Sequence, residues 1–187
     1  MEQKPKRRFY LQEFKAISHA ISTYDDFNLL VNHIAEGTAR SFHAKGCSIM
    51  LLDEREKQLF TVGSYGISGT YLEKGPVFAK EEDSAFFKGK PVYVDDMQTF
   101  PGIQYPEAAK AEGIVSMLSI PIKYKGSVQG VIRIYQDISR PFHPEDIDSL
   151  GFIGVNLGLV IENNGLKNFV EQVKMAMDNL PLRLIKE

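Results

Sequence analysis

The apolar positions of residues 116–135 alternate with a period of two over two neighbouring stretches, a pattern typical of β-strands. In the first stretch Leu118, Ile120 and Ile122 share one face, and the second stretch repeats this alternation. Lys125-Gly126-Ser127 lies between them and supplies a turn, where glycine adopts a positive φ at little steric cost. The pattern predicts a hairpin with one aliphatic face, suited to a helix layer, and one mixed face, suited to a pocket wall.

Helical periodicity dominates both ends of the chain. Apolar side chains within residues 9–22 and again within 27–42 recur every three or four positions, as on one face of a helix. Asp25 or Asp26 can cap the second of these helices. A long amphipathic helix is expected to begin at Pro144, because proline fits the first helical position. Helices of this kind suit a layer packed against a sheet.

The middle of the chain supplies further strands and many loops. Strands are predicted at 47–52 and 59–65, and because both are apolar on both sides, we expect this part of the sheet to be covered on both faces. Beyond the glycine-rich stretch 66–75, the pattern predicts a short helix, a short strand and another short helix, at 81–88, 91–94 and 105–112. The order predicts an α+β fold with a central antiparallel sheet of five or six strands. Terminal helices cover one face, and loops and short helices cover the other.

A second apolar stripe follows the predicted closing helix. It runs from Leu166 to Leu180, after Asn163-Asn164-Gly165 interrupts the first stripe. Because an exposed apolar stripe usually marks a contact surface, we expect it to form half of a helical dimer seam. The alternative is that it folds back on its own domain. The chain is therefore expected to divide into a flexible N-terminus at 1–8, one domain at 9–164 and a C-terminal helical extension at 165–187.

Composition and charge narrow the functional classes. The chain has 187 residues, of which 43% are hydrophobic and 25% charged, and both values are ordinary for one soluble globular domain. A net charge of −2 gives no general attraction to nucleic acid or to an anionic membrane. The sequence has no apolar run near the ~18 residues of a membrane span and no signal peptide. We therefore expect a cytoplasmic protein whose partners include neither nucleic acid nor a membrane.

Several motifs, taken in order, resemble the GAF domains, which are small-molecule and signal-sensing modules. The hairpin carries Ser116-x-Leu118-x-Ile120-Pro121-Ile122, then Lys125-Gly126, then Gly130-Val131-Ile132-x-Ile134, and the closing helix carries Phe142, Asp146, Leu150 and Val160-Ile161-Glu162-Asn163. The resemblance covers residues 9–164 and implies a fold of the GAF or PAS type. It also implies that a ligand in a loop-covered pocket changes how the terminal helices pack.

The mixed hairpin face and the neighbouring loops supply the candidate ligand-binding residues, which are Asp95, Asp96, Tyr105, Met117, Ser119, Arg133 and Tyr135. Arg133 stands out because a charged side chain within an apolar strand must reach solvent or a partner. It is expected either to pair with an acid such as Asp53 or to bind the carboxylate or phosphate of a ligand. Asp95-Asp96 follows a strand and can instead cap a turn. The sequence identifies neither the ligand nor a cofactor.

Thiol and metal chemistry find little support in the sequence. The four histidines lack metal-ligand spacing with the single cysteine, Cys47, which we expect to pack as a small hydrophobe rather than to attach a bilin or act as a redox thiol. The stretch from Val94 to Gly102 resembles a segment of the free methionine-(R)-sulfoxide reductases. That reaction needs a nucleophilic and a resolving thiol, and one cysteine cannot supply both. We therefore predict that the protein is not an enzyme.

Two further readings of the resemblance concern the ligand. Phe142-x-x-x-Asp146 matches half of a motif of the cyclic-nucleotide-binding GAF domains of phosphodiesterases, but Ile147 stands where that motif has Glu.

The middle region is also rich in aromatic residues, so the pocket could be filled by side chains. We predict a non-catalytic sensory or regulatory domain with an unidentified small-molecule ligand, a homodimer through the terminal helices, and an output domain or partner protein. The alternative is a ligand-free interaction or dimerisation module.

Overall fold

Helices and strands follow one another along the chain in the predicted order, with two additions. The computed structural model describes residues 5–9, 11–79 and 81–178, with side chains described as far as Met175. The elements are α1 (Leu11–Thr23), α2 (Phe27–Phe42), β1 (Gly46–Asp53), β2 (Gln58–Tyr65), α3 (Gly69–Leu72), β3 (Val77–Phe78), α4 (Ala85–Lys88), β4 (Val92–Val94), α5 (Pro106–Glu112), β5 (Ser116–Tyr124), β6 (Ser127–Gln136) and α6 (Pro144–Asp178).

The strands form one six-stranded sheet in the order β3-β2-β1-β6-β5-β4, and every neighbouring pair is antiparallel. The predicted hairpin, β5 and β6, lies between β1 and β4. This arrangement confirms the α+β fold with its antiparallel sheet. The sheet reaches six strands because β3 pairs with β2 beside the glycine-rich stretch, where the sequence predicts no strand.

The helix face of the sheet carries the main core. The aliphatic side chains of the hairpin, including Ile120, Ile132 and Ile134, are fully buried there with residues of α1, α2 and α6. Cys47 belongs to the same cluster and is also fully buried. The predicted orientation of the hairpin is therefore confirmed: its aliphatic face lies under the terminal helices.

Helix α6 approaches β5 closely because two of its residues have no side chain. A Cβ atom at Gly154 would lie 2.6 Å from the carbonyl oxygen of Pro121, and one at Gly158 would overlap the carbonyl oxygen of Lys123. The two glycines are four residues apart, so they lie on one face of the helix. Because neither glycine has a side chain, the helix layer can lie this close to the sheet.

One local prediction is confirmed and two are corrected. Of the two aspartates predicted as caps, Asp26 caps α2, and its carboxylate accepts a hydrogen bond from the Leu29 N–H at 3.0 Å. β2 is only partly covered, and Phe60 remains 47% exposed. Asn163-Asn164-Gly165 does not interrupt α6, which is continuous to Asp178. A single glycine costs a helix only about 1 kcal/mol relative to alanine, and the first half of α6 is anchored by the core.

A buried carboxylate ties the N-terminal segment to the closing helix. The side chain of Asp146 is 1% exposed and accepts hydrogen bonds from the backbone N–H groups of Arg8 and Phe9, both at 2.9 Å. Arg8 belongs to the segment predicted to be flexible, so at least this residue is held, whereas residues 1–4 lie outside the described part of the chain. Asp146 thus has a structural partner for each of its oxygens.

The far half of α6 projects its apolar stripe into solvent. Leu166, Phe169, Val170 and Val173 are between 41% and 62% exposed, so within the described residues this stripe does not fold back on the domain. Leu180 and the rest of the predicted extension beyond Asp178 lie outside the described residues. No described helix combines the length and the apolar character that crossing a bilayer requires.

Candidate functional site

A row of polar residues crosses the sheet on the face opposite the main core. In the strand registers Ser64 lies opposite Ser48, Ser48 opposite Arg133, and Arg133 opposite Ser119. Directly opposed residues of neighbouring strands project to the same side of a sheet. The row therefore brings a guanidinium between two buried serines, which are 1% (Ser48) and 3% (Ser119) exposed.

The two serines beside Arg133 differ in their hydrogen bonding. Ser48 Oγ is 3.0 Å from the hydroxyl of Tyr135, so both of these buried groups are satisfied. Ser119 Oγ is buried and has no hydrogen-bond partner, and the same holds for Arg133 Nε. Buried polar atoms are rarely left unpaired, because an unmade hydrogen bond costs about 1–3 kcal/mol. Ser119 and Arg133 therefore mark a place where an acceptor belongs.

The loops and short helices above this row form a roof with a small cavity beneath it. One chamber of about 40 Å³ is lined by residues of α3, β3 and the 102–105 loop, including Lys74 and Tyr105. A second chamber of about 30 Å³ is lined by Ser119 and by residues of α4, β4 and the 100–103 loop. Both chambers share Arg133 and Met117, so the guanidinium lies at the junction between them.

Side-chain hydrogen bonds hold the roof to the edge of the sheet. The Gln104 amide accepts from the Phe78 N–H at 3.0 Å and donates to the Phe78 carbonyl at 3.1 Å, as a neighbouring strand would. The Tyr105 hydroxyl donates to the carbonyl of Pro76 at 2.7 Å. Gly75 allows this approach, because a Cβ there would lie 2.7 Å from the Tyr105 hydroxyl. The roof is thus fastened through two adjacent residues of one loop.

A second cation faces the cavity from the roof. The Lys74 ammonium lies 4.0 Å from the ring centroid of Tyr71 and donates to the Tyr71 carbonyl at 3.1 Å. Burial and then the charge of Arg133 lower the pKa of Lys74 to about 8, against an opposing effect of Glu112. Burial also raises the pKa of the Tyr71 hydroxyl, which keeps this phenol neutral. The cavity therefore combines two cationic groups with neutral aromatic walls.

The acids near the cavity have partners of their own. Glu81 lines the larger chamber and accepts a hydrogen bond from Gln104 at 3.3 Å, and Asp83 lines the smaller one and forms an ion pair with Lys88 at 2.7 Å. Asp53, the expected partner of Arg133, lies at the opposite end of β1 and pairs with Gln58 in the β1–β2 register. Within the described residues Arg133 makes no ion pair.

The structure groups only part of the candidate site. Tyr105, Met117, Ser119 and Arg133 line the cavity together. Tyr135 does not, because its ring packs edge-on against Tyr71 and its hydroxyl binds Ser48.

The two candidate aspartates lie outside the cavity as well. Asp95 is exposed, and Asp96 accepts hydrogen bonds from the Gln98 N–H at 2.8 Å and the Thr99 hydroxyl at 3.1 Å. Asp96 therefore caps a turn, as one of the two alternatives predicted. A role for either aspartate or for Tyr135 in binding remains a prediction.

Sequence reasoning missed the residues that the roof contributes. Lys74 and Tyr71 lie in or next to a short helix, α3, within the glycine-rich stretch predicted to be irregular. Periodicity cannot orient side chains in such a segment. The one available signal is Ser68, which caps α3 by accepting a hydrogen bond from the Tyr71 N–H.

Larger surface grooves lie elsewhere. The largest, about 970 Å³, is lined by Arg8, Phe42, Arg140 and Asp146 among others. Its principal polar groups are already engaged, since Arg140 donates to the Phe42 carbonyl at 2.8 Å and Asp146 binds the backbone of Arg8. For this reason we assign the candidate site to the smaller cavity, where buried donors lack acceptors.

The single cysteine lies away from this cavity. Cys47 is on the opposite face of the sheet, and burial raises the pKa of its thiol, which opposes thiolate formation. Among the described residues no group of histidine, cysteine or acidic side chains could hold a metal ion.

Comparison with known proteins gives one family match and several solved structures of similar fold. The model of the GAF domain family matches residues 26–162. Among solved structures, the GAF domain of a phosphoenolpyruvate-protein phosphotransferase from Coxiella burnetii superposes with a TM-score of 0.74 at 16% identity, covering 84% of this chain and 95% of that one. A domain of a putative two-component sensor histidine kinase from Sinorhizobium meliloti gives 0.65 at 18% identity, covering 80% and 99%.

An enzyme is also among the structural neighbours. The free methionine-R-sulfoxide reductase from Neisseria meningitidis, solved with its substrate, gives a TM-score of 0.66 at 16% identity, covering 85% of this chain and 95% of that one. No curated protein matches the chain in sequence. At these identities the solved structures establish the fold, while the family match rests on residues 26–162.

Proposed function

Because the chain belongs to the GAF domain family, we propose that it is a sensory or regulatory domain that binds a small ligand between the sheet and the roof. The observation that carries this proposal is the pair of buried, unpartnered donor atoms, Arg133 Nε and Ser119 Oγ, beside a small cavity. An interaction module whose pocket is filled by side chains would leave these two atoms without acceptors, at a cost in stability.

The same strand supplies a route from the ligand to the helices. Arg133 faces the cavity, while its neighbours Ile132 and Ile134 are fully buried under the terminal helices. A ligand that binds one arrangement of the roof and β6 better than another shifts the population toward it. The packing of α6 would change with the sheet, because Gly154 and Gly158 lie directly against the backbone of β5 and leave no room for even a methyl group between them.

Native mass spectrometry of the freshly purified protein tests the ligand proposal directly. We expect at least one small molecule of a metabolite set, added before gentle desolvation, to bind the folded protein and not the unfolded protein. Protein that carries no such molecule, and whose hydrogen exchange in α6 responds to no compound of a metabolite set, would favour the alternative of a ligand-free interaction module.

We propose a non-catalytic role. The reductase among the structural neighbours acts on methionine sulfoxide by its printed name, but the thiol of Cys47 is fully buried on the helix face, away from the cavity. Turnover of free methionine sulfoxide that persists in a Cys47→Ala variant would contradict this part of the proposal.

A second copy of the chain is the partner that α6 favours. Six of its apolar residues, each between 41% and 62% exposed, recur at three–four spacing with one interruption, at Glu162: Phe152, Val155, Leu159, Leu166, Phe169 and Val173. A seven-residue repeat is the pattern of a coiled coil, in which identical helices match each other layer by layer. We therefore propose a parallel homodimer through α6.

Sedimentation over a range of concentrations tests the dimer. Phe169→Glu places a charge in the seam and is expected to give a monomer, whereas Asn168→Glu adds the same charge to the adjacent position outside the seam and is expected to leave a dimer. A wild-type protein that stays monomeric at all concentrations would remove the dimer proposal. The expectations of a cytoplasmic location and of an output domain or partner protein rest on the sequence and the family alone.

A further inference from the structure

We propose that the ligand is a small carboxylate whose two oxygens accept hydrogen bonds from Arg133 Nε and Ser119 Oγ. This inference rests on the proposed function, because it names the chemical class that the same cavity takes. It draws on three observations: the unpartnered donors, the balance of charge around them and the size of the two chambers.

The two donors lie side by side on neighbouring strands. Ser119 and Arg133 are directly opposed in the β5–β6 register, and both line the smaller chamber. Ser119 is 97% buried, and neither its Oγ nor Arg133 Nε has a partner. Two adjacent donors match the two oxygens of a planar carboxylate, and the guanidinium makes one of these hydrogen bonds charge-assisted.

The charge balance favours an anion. Arg133 is permanently cationic, and Lys74 adds a second cation in the adjoining chamber. Of the two lining acids, Asp83 is paired with Lys88, whereas Glu81 accepts a hydrogen bond from the neutral Gln104 amide and keeps its charge. Two lining cations therefore face one acid without a cation of its own, and one carboxylate would balance the remaining positive charge.

The size of the cavity selects a small ligand. The chambers of about 30 and 40 Å³ are far smaller than the ~300–1,000 Å³ of pockets that hold drug-sized ligands. A nucleotide or a tetrapyrrole would require the roof to move. Formate and acetate fit the smaller chamber with local adjustment, and for this reason they are the probes of choice.

NMR titration provides the test, because the Arg133 Nε–H gives its own nitrogen–proton signal. Sodium formate and sodium acetate are each titrated into the isotope-labelled full chain against sodium chloride at equal ionic strength. We expect saturable shifts of the Arg133 Nε–H and of the Ser119 amide. A ligand of four non-hydrogen atoms cannot bind much tighter than tens of micromolar, so the titration extends to millimolar concentrations.

Matched variants separate the proposed site from the surface. Ser119→Ala is expected to weaken acetate about three- to tenfold, and Arg133→Lys, which keeps the charge and loses Nε, about tenfold or more. Their controls are Ser127→Ala and Arg55→Lys, at exposed positions outside the cavity, and both are expected to bind as the wild type does. Circular dichroism and thermal unfolding confirm that each variant is folded.

Three results would overturn the inference. They are shifts no larger than those in chloride, saturable binding that both cavity variants retain, and phosphate or sulfate binding more tightly than either carboxylate. A different compound whose affinity is unchanged by substitution of Ser119 and Arg133 would also rule out the carboxylate proposal. The proposed sensory function would then still stand. The sensory function itself fails only if no compound binds the cavity.

Discussion

The two faces of strand β6 show how one alternating pattern can build both a core and a site. On one face Ile132 and Ile134 are fully buried among side chains of the terminal helices. On the other, Arg133 lies between Ser48 and Ser119 beneath a roof that leaves a cavity. The first face is stabilised by close packing, whereas the second retains polar groups whose partners are incomplete. Under our proposal, stability and ligand binding are assigned to opposite sides of the same strand.

The largest effect is expected on the helix face. Ile132→Ala removes three carbons from a fully buried position and should lower the free energy of unfolding by about 2–5 kcal/mol. Ile138→Ala, just after the strand at a residue that is 51% exposed, should change it by less than about 0.5 kcal/mol. Urea denaturation measures both. Equal effects would mean that this face is not the stabilising one.

A smaller loss is expected where the helix layer meets the sheet. Gly158→Ala places a Cβ against the Lys123 carbonyl and should cost about 1–3 kcal/mol through strain. Gly165→Ala, on the same helix with nothing within 4 Å, should stabilise by up to about 1 kcal/mol because alanine is the better helix former. Thermal unfolding compares the pair. If the two variants shift the midpoint in the same direction, the close approach of α6 does not constrain the fold.

On the roof face, two buried serines should respond in opposite ways. Ser48→Ala leaves the Tyr135 hydroxyl without its partner and should cost about 1–2 kcal/mol. Ser119→Ala removes a hydroxyl that has no partner and should be neutral or slightly stabilising in the absence of ligand. Denaturation in a carboxylate-free buffer makes the comparison. A clear loss at Ser119 would show that its hydroxyl is already satisfied.

The smallest effect is a dependence of stability on pH at Lys74, where the partial exposure of the side chain lets solvent screen its charge. Its pKa is lowered to about 8 by burial and by Arg133, whereas the unfolded value is about 10.4. Between these values the unfolded chain holds the proton and the folded chain does not, so this group makes stability rise as the pH increases from about 8 to about 10.

Comparing unfolding curves of two lysine variants isolates that contribution. Lys74→Met should remove this part of the rise, whereas Lys110→Met, at an exposed position of α5, should keep it. The charged groups around the Lys74 amine are Arg133 and Glu112, with Glu81 lining the same chamber. If the wild type and Lys74→Met have the same slope over this range, then the amine is not buried against Arg133.

The sequence predicts the elements in which the apolar residues recur regularly and each face of the element has one kind of surroundings along its length. The alternation of β5 and β6 identifies Arg133 and Ser119 as inward-facing residues of the mixed side, and the structure places both at the cavity. Asp95 and Asp96 could not be placed in this way, because a carboxylate after a strand can bind either a ligand or its own turn. Here Asp96 binds the turn.

The roof could not be predicted, because its geometry depends on contacts distant in sequence. Lys74 reaches the cavity only because α3 packs near α5, where Glu112 accepts hydrogen bonds from the Ser68 backbone and hydroxyl. β3 pairs with β2, and Gln104 completes the hydrogen bonding of its other edge at Phe78. Neither contact has a periodic signature, so a loop-built site is found from coordinates rather than from the sequence.

Amide hydrogen exchange under saturating sodium acetate, compared with sodium chloride of equal ionic strength, tests the central claim most directly. The claim is that the polar face of the sheet binds the ligand and the aliphatic face transmits its effect. The account predicts slower exchange at residues 97–105 of the roof, together with a changed rate in α6, and in Ser119→Ala both effects should require about three- to tenfold more acetate. Unchanged exchange in the roof, with or without a change in α6, would contradict it.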